Sequence, residues 1–224
     1  MPGTIIMREI KKKISTLRKD YWGDALDART VATDPVEQFE RWMGEALSLD
    51  FPDANAMTLA TVSNTGQPSA RIVLLKDFSE KGFVFFSNYN SQKGKEIENN
   101  PKAAILFFWP KLMRQIKIEG ELEKIAPSES EAYFKTRPEG NKISALVSQQ
   151  STEIENKEAL EKHFKELEEK YKGQEIPYPG YWGGYCLKPG LFEFWQGQAN
   201  RLHDRIRYIK NIENGEWQIK RLAP

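Results

Sequence analysis

Apolar residues change their spacing along this chain, and the changes divide it into a helical start, a long β region, a helical middle and a β end. Apolar residues three or four positions apart predict helices. Alternating or short unbroken apolar runs between Gly, Asn and Pro predict strands. The predicted helices cover 35–46, 91–97, 127–137 and 160–171. The predicted strands cover 57–62, 71–76, 82–87, 103–109, 115–120, 185–187, 191–195, 206–209 and 217–219.

Local signals refine this pattern. Asp34 followed by Pro35 is typical of an N-cap and a first-turn proline. Asn214-Gly215 predicts a hairpin turn between the last two strands. The run 103–109 is apolar throughout, which predicts burial on both faces, whereas 115–120 alternates like a half-exposed antiparallel strand. We therefore expect a mainly antiparallel sheet of about six to eight strands, closed or nearly closed as a barrel, with helices packed outside.

Composition then restricts the class of protein. The 224 residues are 39% hydrophobic and 29% charged, which is typical of a globular chain with a sizeable core. The formal net charge of +1 provides no global attraction to nucleic acid or membrane, so any anion site must be local. The single cysteine, Cys186, excludes an intrachain disulfide and a cysteine-cluster metal site, and it fits a reducing cytoplasm. We expect no bound metal, and no stretch approaches the length of a membrane span.

The organisation of the chain follows from the same features. No linker rich in Gly, Ser or Pro divides it, so we expect one domain over residues 18–224. Residues 1–17 are predicted to be a mobile leader that contains the charge run Lys11-Lys12-Lys13. The apolar run Ile5-Ile6-Met7 is too short for a signal peptide.

One stretch near the C-terminus concentrates groups that can perform chemistry. Residues 193–205 place Arg201 and Arg205 on either side of His203, with Trp195 and two glutamines upstream. Such side chains bind anions, stack on flat rings and donate hydrogen bonds. An exposed charged turn would have the same composition, so the stretch alone leaves both interpretations open. The second histidine, His163, lies among Glu and Lys and is interpreted as a surface residue.

Cations also stand at the ends of other predicted elements. They are Arg71, Lys76, Lys93 and Arg137. Taken singly, each of these residues is typical of a solvated surface charge. Together with Ser91 and with Gln150-Ser151, they supply the several charge-assisted donors that two phosphates need. No GxGxxG or Walker sequence is present, so we do not expect a Rossmann or P-loop nucleotide site.

Several segments, taken in order, carry a specific resemblance to a known family. They are Arg71-Ile72-Val73-Leu74-Leu75-Lys76, Ile97-Glu98-Asn99-Asn100-Pro101, Gln149-Gln150-Ser151, Tyr181-Trp182-Gly183-Gly184, Glu193-Phe194-Trp195-Gln196-Gly197 and Arg201-Leu202-His203-Asp204-Arg205. The chain resembles the pyridoxamine 5'-phosphate oxidases, also called pyridoxine 5'-phosphate oxidases, from about Arg18 to its end. Such a series is far more specific than one short motif.

The resemblance implies an FMN-binding split β-barrel with peripheral α-helices. It also implies a homodimer with two FMN sites at the subunit interface. One subunit would hold FMN through Arg71, Ile72, Val73, Leu74, Leu75, Lys76, Phe86, Ser87, Lys93 and Gln115. The other subunit would add Gln150, Ser151, Trp195 and Arg205.

The same resemblance implies a set of substrate-binding residues. Lys76, Tyr133 and Arg137 would meet the substrate phosphate, and the catalytic pair Arg201 and His203 would lie over the pyridine ring. Arg18 and Tyr21 match a segment that covers the substrate. Two positions depart from the familiar bacterial sequence. Gln92 replaces an arginine beside the flavin phosphate, and Asn141 replaces a serine near the substrate phosphate, and both can still donate hydrogen bonds.

The activity implied is the FMN-dependent oxidation of pyridoxamine or pyridoxine 5'-phosphate to pyridoxal 5'-phosphate, with O₂ reduced to H₂O₂. Arg201 and His203 would orient and polarise the reacting groups, and Asp204 would orient neighbouring cations. Two alternatives stay open. One is another split-barrel flavoprotein, such as a flavin reductase or a deazaflavin-dependent enzyme. The other is a non-catalytic module that binds flavin, pyridoxal phosphate or RNA, although the net charge near zero disfavours RNA.

Overall fold

The computed structural model describes residues 2–17, 20–49 and 51–224, with side chains from residue 6 onward. Within those residues, the chain forms one sheet of nine strands and six α-helices. The elements are α1 (Pro2–Thr16), α2 (Pro35–Ser48), β1 (Ala56–Val62), β2 (Pro68–Leu74), β3 (Asp77–Ser79), β4 (Gly82–Asn88), α3 (Gln92–Asn99), β5 (Lys102–Trp109), β6 (Arg114–Lys124), α4 (Pro127–Thr136), α5 (Glu139–Val147), α6 (Lys157–Lys170), β7 (Trp182–Gln196), a 3₁₀ turn (Ala199–Arg201), β8 (Asp204–Lys210) and β9 (Trp217–Leu222).

The sheet is antiparallel and curls on itself. Its strand order is β2-β1-β5-β6-β7-β4-β3, and β8 and β9 extend it from β7. The consecutive strands β2 and β3 therefore occupy the two ends of that order. The Lys76 N–H between them donates to the Val84 carbonyl at 2.8 Å, which places the residue that follows β2 beside β4. The predicted barrel is confirmed as a curled antiparallel sheet with peripheral helices, although the sheet has nine strands and not the expected six to eight.

Helix α2 closes the interior of this barrel. The Asp34 carboxylate accepts a hydrogen bond from the Val36 N–H at 2.6 Å, which satisfies one of the free donors of the first turn. The predicted apolar stripe is buried, and the Phe39 ring lies 4.9 Å from both Phe78 and Phe83 between centroids. Helix α2 thus begins where the sequence indicates, and its stripe packs inside the sheet because the strands turn aromatic side chains inward.

A second, smaller core lies beneath the helical middle. Phe134, Ile143, Val147 and Ile176 surround the indole of Trp182, at the first residue of β7. The stripe on α6 packs against this cluster only partly, and α6 contains no buried residue. His163 on α6 has 53% of its side chain exposed, which confirms that it is a surface residue.

Three predictions about the strands need correction. The runs 185–187 and 191–195 belong to one strand, β7, which continues through a bulge opposite Glu119 and Gly120. The predicted strand 71–76 ends at Leu74, because the chain crosses there to the other edge. The run 103–109 is not buried on both faces: Phe108 is 52% exposed, since no described helix covers the outward face of β5 at that position.

The leader contains helix α1 in this structure, and its mobility and the boundary at residue 18 stay predictions. Arg18 lies outside the described residues. None of the helices in the described ranges has the length and apolar character that crossing a membrane requires.

Candidate functional site

A cavity of about 990 Å³ opens between β2, β4, α3 and the helices α4 and α5. Most of the predicted FMN and substrate residues line it. They are Arg71, Ile72, Val73, Leu74, Lys76, Phe86, Ser87, Gln92, Lys93, Tyr133, Arg137, Asn141, Gln150 and Ser151. Leu75 differs, because its side chain is 5% exposed and packs in the barrel core. The volume is at the upper end of the range typical of small-molecule sites.

Lys93 lies at the floor of the cavity, on the first turn of α3. Its Nζ donates to Ser87 Oγ at 3.2 Å, Ser91 Oγ at 3.3 Å and Gln150 Oε1 at 3.1 Å. Burial lowers the pKa of Lys93, and the positive charge of Arg71 lowers it further. A buried cation held by neutral oxygens is suited to an anion, which would restore the lost hydration.

Arg71 points inward from β2, at the edge of the cavity. Its Nη1 donates to the Leu59 carbonyl at 3.1 Å and to Thr61 Oγ1 at 2.6 Å. Its Nη2 donates to Ser69 Oγ at 2.6 Å and to Glu96 Oε2 at 3.1 Å. The register of β1 with β2 produces this arrangement, because Arg71 lies opposite Leu59 and therefore shares its inward face.

An aromatic wall faces the cations. Phe86 stacks on Tyr133 with 3.8 Å between ring centroids, and on Trp182 at 5.3 Å. The guanidinium carbon of Arg137 lies 4.4 Å from the Trp182 ring centroid, a cation–π contact. Burial lowers the pKa of Arg137, and its buried Nη1 has no hydrogen-bond partner among the described residues. A buried guanidinium nitrogen in this state favours an anionic ligand.

The stretch 193–205 does not line this cavity. The His203 ring lies 4.7 Å from that of Trp195 and 5.4 Å from that of Tyr21, between centroids. Its Nδ1 accepts the Gln198 N–H at 3.0 Å, so the proton of the neutral ring is assigned to Nε2. Burial lowers the pKa of His203, and Arg201 lowers it further. The imidazole is therefore a neutral donor at physiological pH.

Gly197 allows this cluster to form. A Cβ at this position would lie 2.8 Å from Cδ1 of Tyr21 and 3.0 Å from Cβ of Met113. Both approaches are closer than ordinary van der Waals contact. The glycine is therefore required by the tight packing of Tyr21 against the stretch 193–205; the resemblance places Tyr21 in a segment that can cover the substrate.

Gln115, Trp195 and Arg205 form a row across three neighbouring strands. Gln115 is opposite Trp195 in the register of β6 with β7, and Trp195 is opposite Arg205 in the register of β7 with β8. The exposed Phe108 continues the row on β5. Arg205 Nη2 donates to Glu193 Oε1 at 2.7 Å, and the Glu193 side chain is 8% exposed.

Backbone strain is present in both regions. Asn200 and Arg201 have φ of 56° and 62°, and Ser151 has φ of 73°. Non-glycine residues seldom adopt such values, and they concentrate at functional sites. Arg201 is exposed, on the 3₁₀ turn between β7 and β8. Asp204 binds a cation, as expected: its Oδ1 lies 2.6 Å from Arg221 Nη1.

The single chain brings together some residues that the resemblance assigns to different subunits. Gln150 and Ser151, expected from the partner, line the same cavity as Lys93 within one chain. Gln115, expected with Arg71, lies instead beside Trp195. The cavity wall at Trp182 and the cluster at Trp195 occupy opposite ends of β7. Their placement depends on strand register, which the sequence motifs do not encode.

Two residues of the cavity region had no predicted role. Trp182 was part of a recognised segment, but nothing in the sequence indicated that Arg137 would stack on it. Glu96 lies one helical turn after Gln92, and that spacing is the one signal that would have connected them.

Comparison with known proteins agrees with the resemblance. Residues 43–171 match the family model described as pyridoxamine 5'-phosphate oxidase. Residues 182–224 match the model described as the pyridoxine 5'-phosphate oxidase C-terminal dimerisation region.

Curated relatives extend this match over nearly the whole chain. The pyridoxine/pyridoxamine 5'-phosphate oxidase of Trichormus variabilis is 50% identical over 213 residues, which cover 95% of this chain and 99% of the relative. The protein of the same name from Cupriavidus pinatubonensis is 49% identical over 212 residues, which cover 95% and 99%.

Solved structures show the same fold. PhzG from Burkholderia lata 383, in complex with tetrahydrophenazine-1-carboxylic acid, matches with a TM-score of 0.84 at 28% identity, covering 90% of this chain and 99% of that one. A pyridoxamine 5'-phosphate oxidase-related, FMN-binding protein from Nostoc punctiforme matches with a TM-score of 0.68 at 18% identity, covering 90% and 100%. The second likeness concerns the fold alone.

Proposed function

The chain belongs to the pyridoxamine 5'-phosphate oxidase family, and on that premise we propose that it oxidises pyridoxamine or pyridoxine 5'-phosphate to pyridoxal 5'-phosphate with FMN, reducing O₂ to H₂O₂. The observation that carries the proposal is Arg137. Its buried Nη1, which has no hydrogen-bond partner in the described part of the chain, and its stacking on Trp182 provide a fixed cation beside an aromatic wall. A phosphorylated flat ring requires both features.

The cavity residues fit FMN together with a phosphorylated substrate. Lys93, Ser87 and Gln150 form a cluster of charged and polar groups at one end. Lys76 and Arg137 contribute further positive charge. The lining contains enough donors for two phosphate groups, and Ile72 and Leu74 provide apolar surface for a ring. FMN, when bound, would supply the two-electron chemistry that connects the substrate to O₂.

In this proposal the side chains bind, orient and polarise. Arg137 and Tyr133 hold the substrate phosphate, with Asn141 and Lys76 nearby, and this fixes the distance from the phosphate to the reacting carbon. His203 donates from Nε2, because Nδ1 is occupied by the Gln198 N–H. Arg201, exposed on a strained turn, supplies a charged donor. Tyr21 packs beside His203 and restricts water at that position.

We further propose that two copies of the chain complete each site. The stretch 193–205 and Gln115 do not line the cavity of their own chain. Ile72 at the cavity and Phe108 beside Gln115 are 65% and 52% exposed in the single chain. The match of residues 182–224 to a dimerisation region agrees with this assembly. Each site would combine the cavity of one copy with the row Gln115, Trp195 and Arg205 of the other.

The test is flavin reduction without oxygen. The purified protein should be yellow, and pyridoxamine 5'-phosphate should bleach it under anaerobic conditions. Admission of air should restore the colour. Unphosphorylated pyridoxamine at the same concentration should bleach it far more slowly, because Arg137 then has no phosphate to bind. A colourless protein, or a yellow one that neither substrate bleaches, would contradict the proposal.

PhzG provides the second candidate, since a relative of the same fold is described in complex with an unphosphorylated tricyclic acid. Faster bleaching of the flavin by tetrahydrophenazine-1-carboxylic acid than by pyridoxamine 5'-phosphate would favour that class of substrate.

A further inference from the structure

A buried carboxylate lies behind the cavity, on the inward face of α3. Glu96 is 5% exposed and accepts four hydrogen bonds. Its Oε2 accepts from Thr61 Oγ1, from Ser69 Oγ at 2.7 Å and from Arg71 Nη2 at 3.1 Å. Its Oε1 accepts from Gln92 Nε2 at 2.9 Å. A carboxylate with this many donors is a built element of the site and not an incidental surface charge.

Glu96 is ionised under all physiological conditions. Burial by itself would raise the pKa of Glu96, but the hydrogen bonds from Thr61, Ser69, Gln92 and Arg71 outweigh that effect and lower the pKa to about 2. A full negative charge therefore lies against Arg71. Among the described residues that line the cavity, none is Asp or Glu, whereas four are Lys or Arg.

Both terminal nitrogens of the Arg71 guanidinium donate hydrogen bonds to groups of the protein itself. The bonds from Nη1 to Leu59 and Thr61, and from Nη2 to Ser69 and Glu96, use all four of their protons. Three of these partners are neutral, and Glu96 alone carries charge. A ligand phosphate at the edge of the cavity must therefore share the charge of Arg71 with Glu96.

We propose that Glu96 is an internal counter-anion that competes with the ligand phosphate for Arg71 and so limits how strongly the site prefers phosphorylated flavin. The inference rests on the proposed function and concerns the same cavity. When the cavity contains no anion, the charge of Glu96 offsets the repulsion between Arg71 and Lys93. When the cavity contains a phosphate, Glu96 lowers the affinity of the site for that phosphate. Glu96 is a positioning residue in this account, because it acts through Arg71.

The test compares FMN with riboflavin, which lacks the phosphate. In Glu96→Gln the amide oxygen can accept from Ser69 and Arg71 in place of Oε2, and Gln92 can turn its own oxygen toward the new NH₂ group. The ratio of the riboflavin Kd to the FMN Kd should rise by about threefold to tenfold, the factor for removing one charge near a phosphate when the open cavity screens most of their repulsion. This rise in the ratio should be smaller at high salt, because salt screens the interaction between the charges.

Glu98→Gln is the matched control. Glu98 is exposed on the same helix, and its substitution changes the net charge by the same amount. The ratio should stay at the wild-type value in this variant. A ratio in Glu96→Gln that is unchanged or lower than wild type would overturn the proposal, since Glu96 would then serve only to brace Arg71.

Two further measurements separate this inference from the proposed function. Inorganic phosphate should raise the Tm of Glu96→Gln more than that of wild type or Glu98→Gln, whether or not the protein binds flavin. An equal rise in all three proteins would overturn the counter-anion. A wild-type protein that binds neither flavin would contradict the proposed function alone. If Glu96→Gln does not fold, Glu96→Asp draws the carboxylate back from Arg71 and should raise the phosphate-induced Tm shift by a smaller amount, while an unchanged shift would overturn the proposal.

Discussion

The cavity and the stretch 193–205 contain similar side chains in different settings. In the cavity, Lys93 is buried among three oxygen acceptors, and Arg137 is packed on an indole. In the stretch, Arg201 is exposed on a strained turn, and His203 is half-buried between two aromatic rings. The cavity is lined by residues of several strands and helices, and no residue of the stretch 193–205 lines it.

This difference is consistent with separate roles for the two regions in the proposed function. A walled cavity can bind phosphate tightly, because desolvated cations interact strongly with an anion. An exposed surface can act on a ligand only when another surface covers it. A buried carboxylate lies behind a cation in both regions: Glu96 binds Arg71 at 3.1 Å, and Glu193 binds Arg205 at 2.7 Å. Both arginines are therefore fixed before any ligand arrives.

The cavity side of the comparison is tested most strongly by Arg137→Leu. Leucine keeps the packing on Trp182 but removes the charged donors. Two lost charge-assisted hydrogen bonds should lower kcat/KM for pyridoxamine 5'-phosphate by about a hundredfold or more. The control is Lys135→Leu, which removes an exposed cation two residues earlier. Steady-state assays with matched FMN content should find the control near wild type, and a wild-type rate for Arg137→Leu would remove Arg137 from the site.

The surface side is tested by Arg201→Met, which keeps bulk and removes charge. One charge-assisted hydrogen bond is worth about 1.5–3 kcal/mol, so kcat/KM should fall by about ten- to a hundredfold. FMN content should be unaffected, because Arg201 does not line the cavity. Activity and flavin absorbance measured on the same samples check both statements. Normal turnover would show that the stretch 193–205 takes no part in the reaction.

Mixing these two variants tests whether the regions meet across subunits. In a dimer of one Arg137→Leu and one Arg201→Met chain, one site carries both defects and the other carries none. Random exchange should therefore restore about a quarter of the wild-type activity, as expected for an interface with two-fold symmetry. The measurement is activity after mild dissociation and reassociation. A mixture no more active than the mean of its components would place both residues in the site of one chain.

The pH response should distinguish the two regions further. Burial and Arg201 lower the pKa of His203 below its usual 6.5, so the unfolded chain binds this proton more readily than the folded chain. The stabilising contribution is present above about pH 6.5 and is lost as the pH falls below it. Free energies of unfolding at about pH 8 and about pH 5 should therefore differ less in His203→Gln than in wild type.

His163→Gln is the control for this pH experiment, because His163 is exposed on α6. It should leave the pH dependence unchanged. If His203→Gln loses as much stability on acidification as the wild-type protein, the imidazole is not held in its neutral form.

The smallest expected effect concerns Gln92→Arg. An arginine there would add a charged donor near the cavity, but Glu96 Oε1 already binds the side chain at this position, one helical turn away. Most of the new charge would pair with Glu96, so FMN should bind only about twofold tighter. Titration of apoprotein with FMN checks this. In Gln92→Arg combined with Glu96→Gln, the gain should exceed the product of the single changes, and simple multiplication would show that the two positions do not interact.

Much of the fold could be predicted because the local signals agree with the tertiary contacts. The α2 N-cap, the buried stripe and the Asn214-Gly215 turn all form where the sequence indicates. The wrong predictions concern features that depend on contacts between elements distant in sequence. The run 103–109 is apolar on both faces, yet its outer face is uncovered in one chain, and apolar character alone does not identify what covers it.

The candidate site was predicted as a set of residues but not as an arrangement. The motifs identified the cations and amides that line the cavity, and family membership is supported by matches over nearly the whole chain. The motifs did not separate Gln115 from Arg71 or join Gln150 to Lys93. They also gave no role to Glu96, because a glutamate on a short charged helix is indistinguishable in sequence from a solvated one.

The sequence by itself determined the starts of α2, α3 and α4, the turns, the alternation of the strands and the chemical types available to a site, but it did not predict α1, α5 or β3. These features depend on interactions between residues a few positions apart in sequence, and such interactions do not require the tertiary fold. Only the tertiary structure decided which residues meet, since strand register and the crossing of the chain from β2 to β3 bring together positions tens of residues apart. The packing of α3 against β1 places Glu96 beside Arg71, and the length of β7 separates Trp182 from Trp195. Burial of Lys93 and Arg137 then makes the cavity suited to an anion.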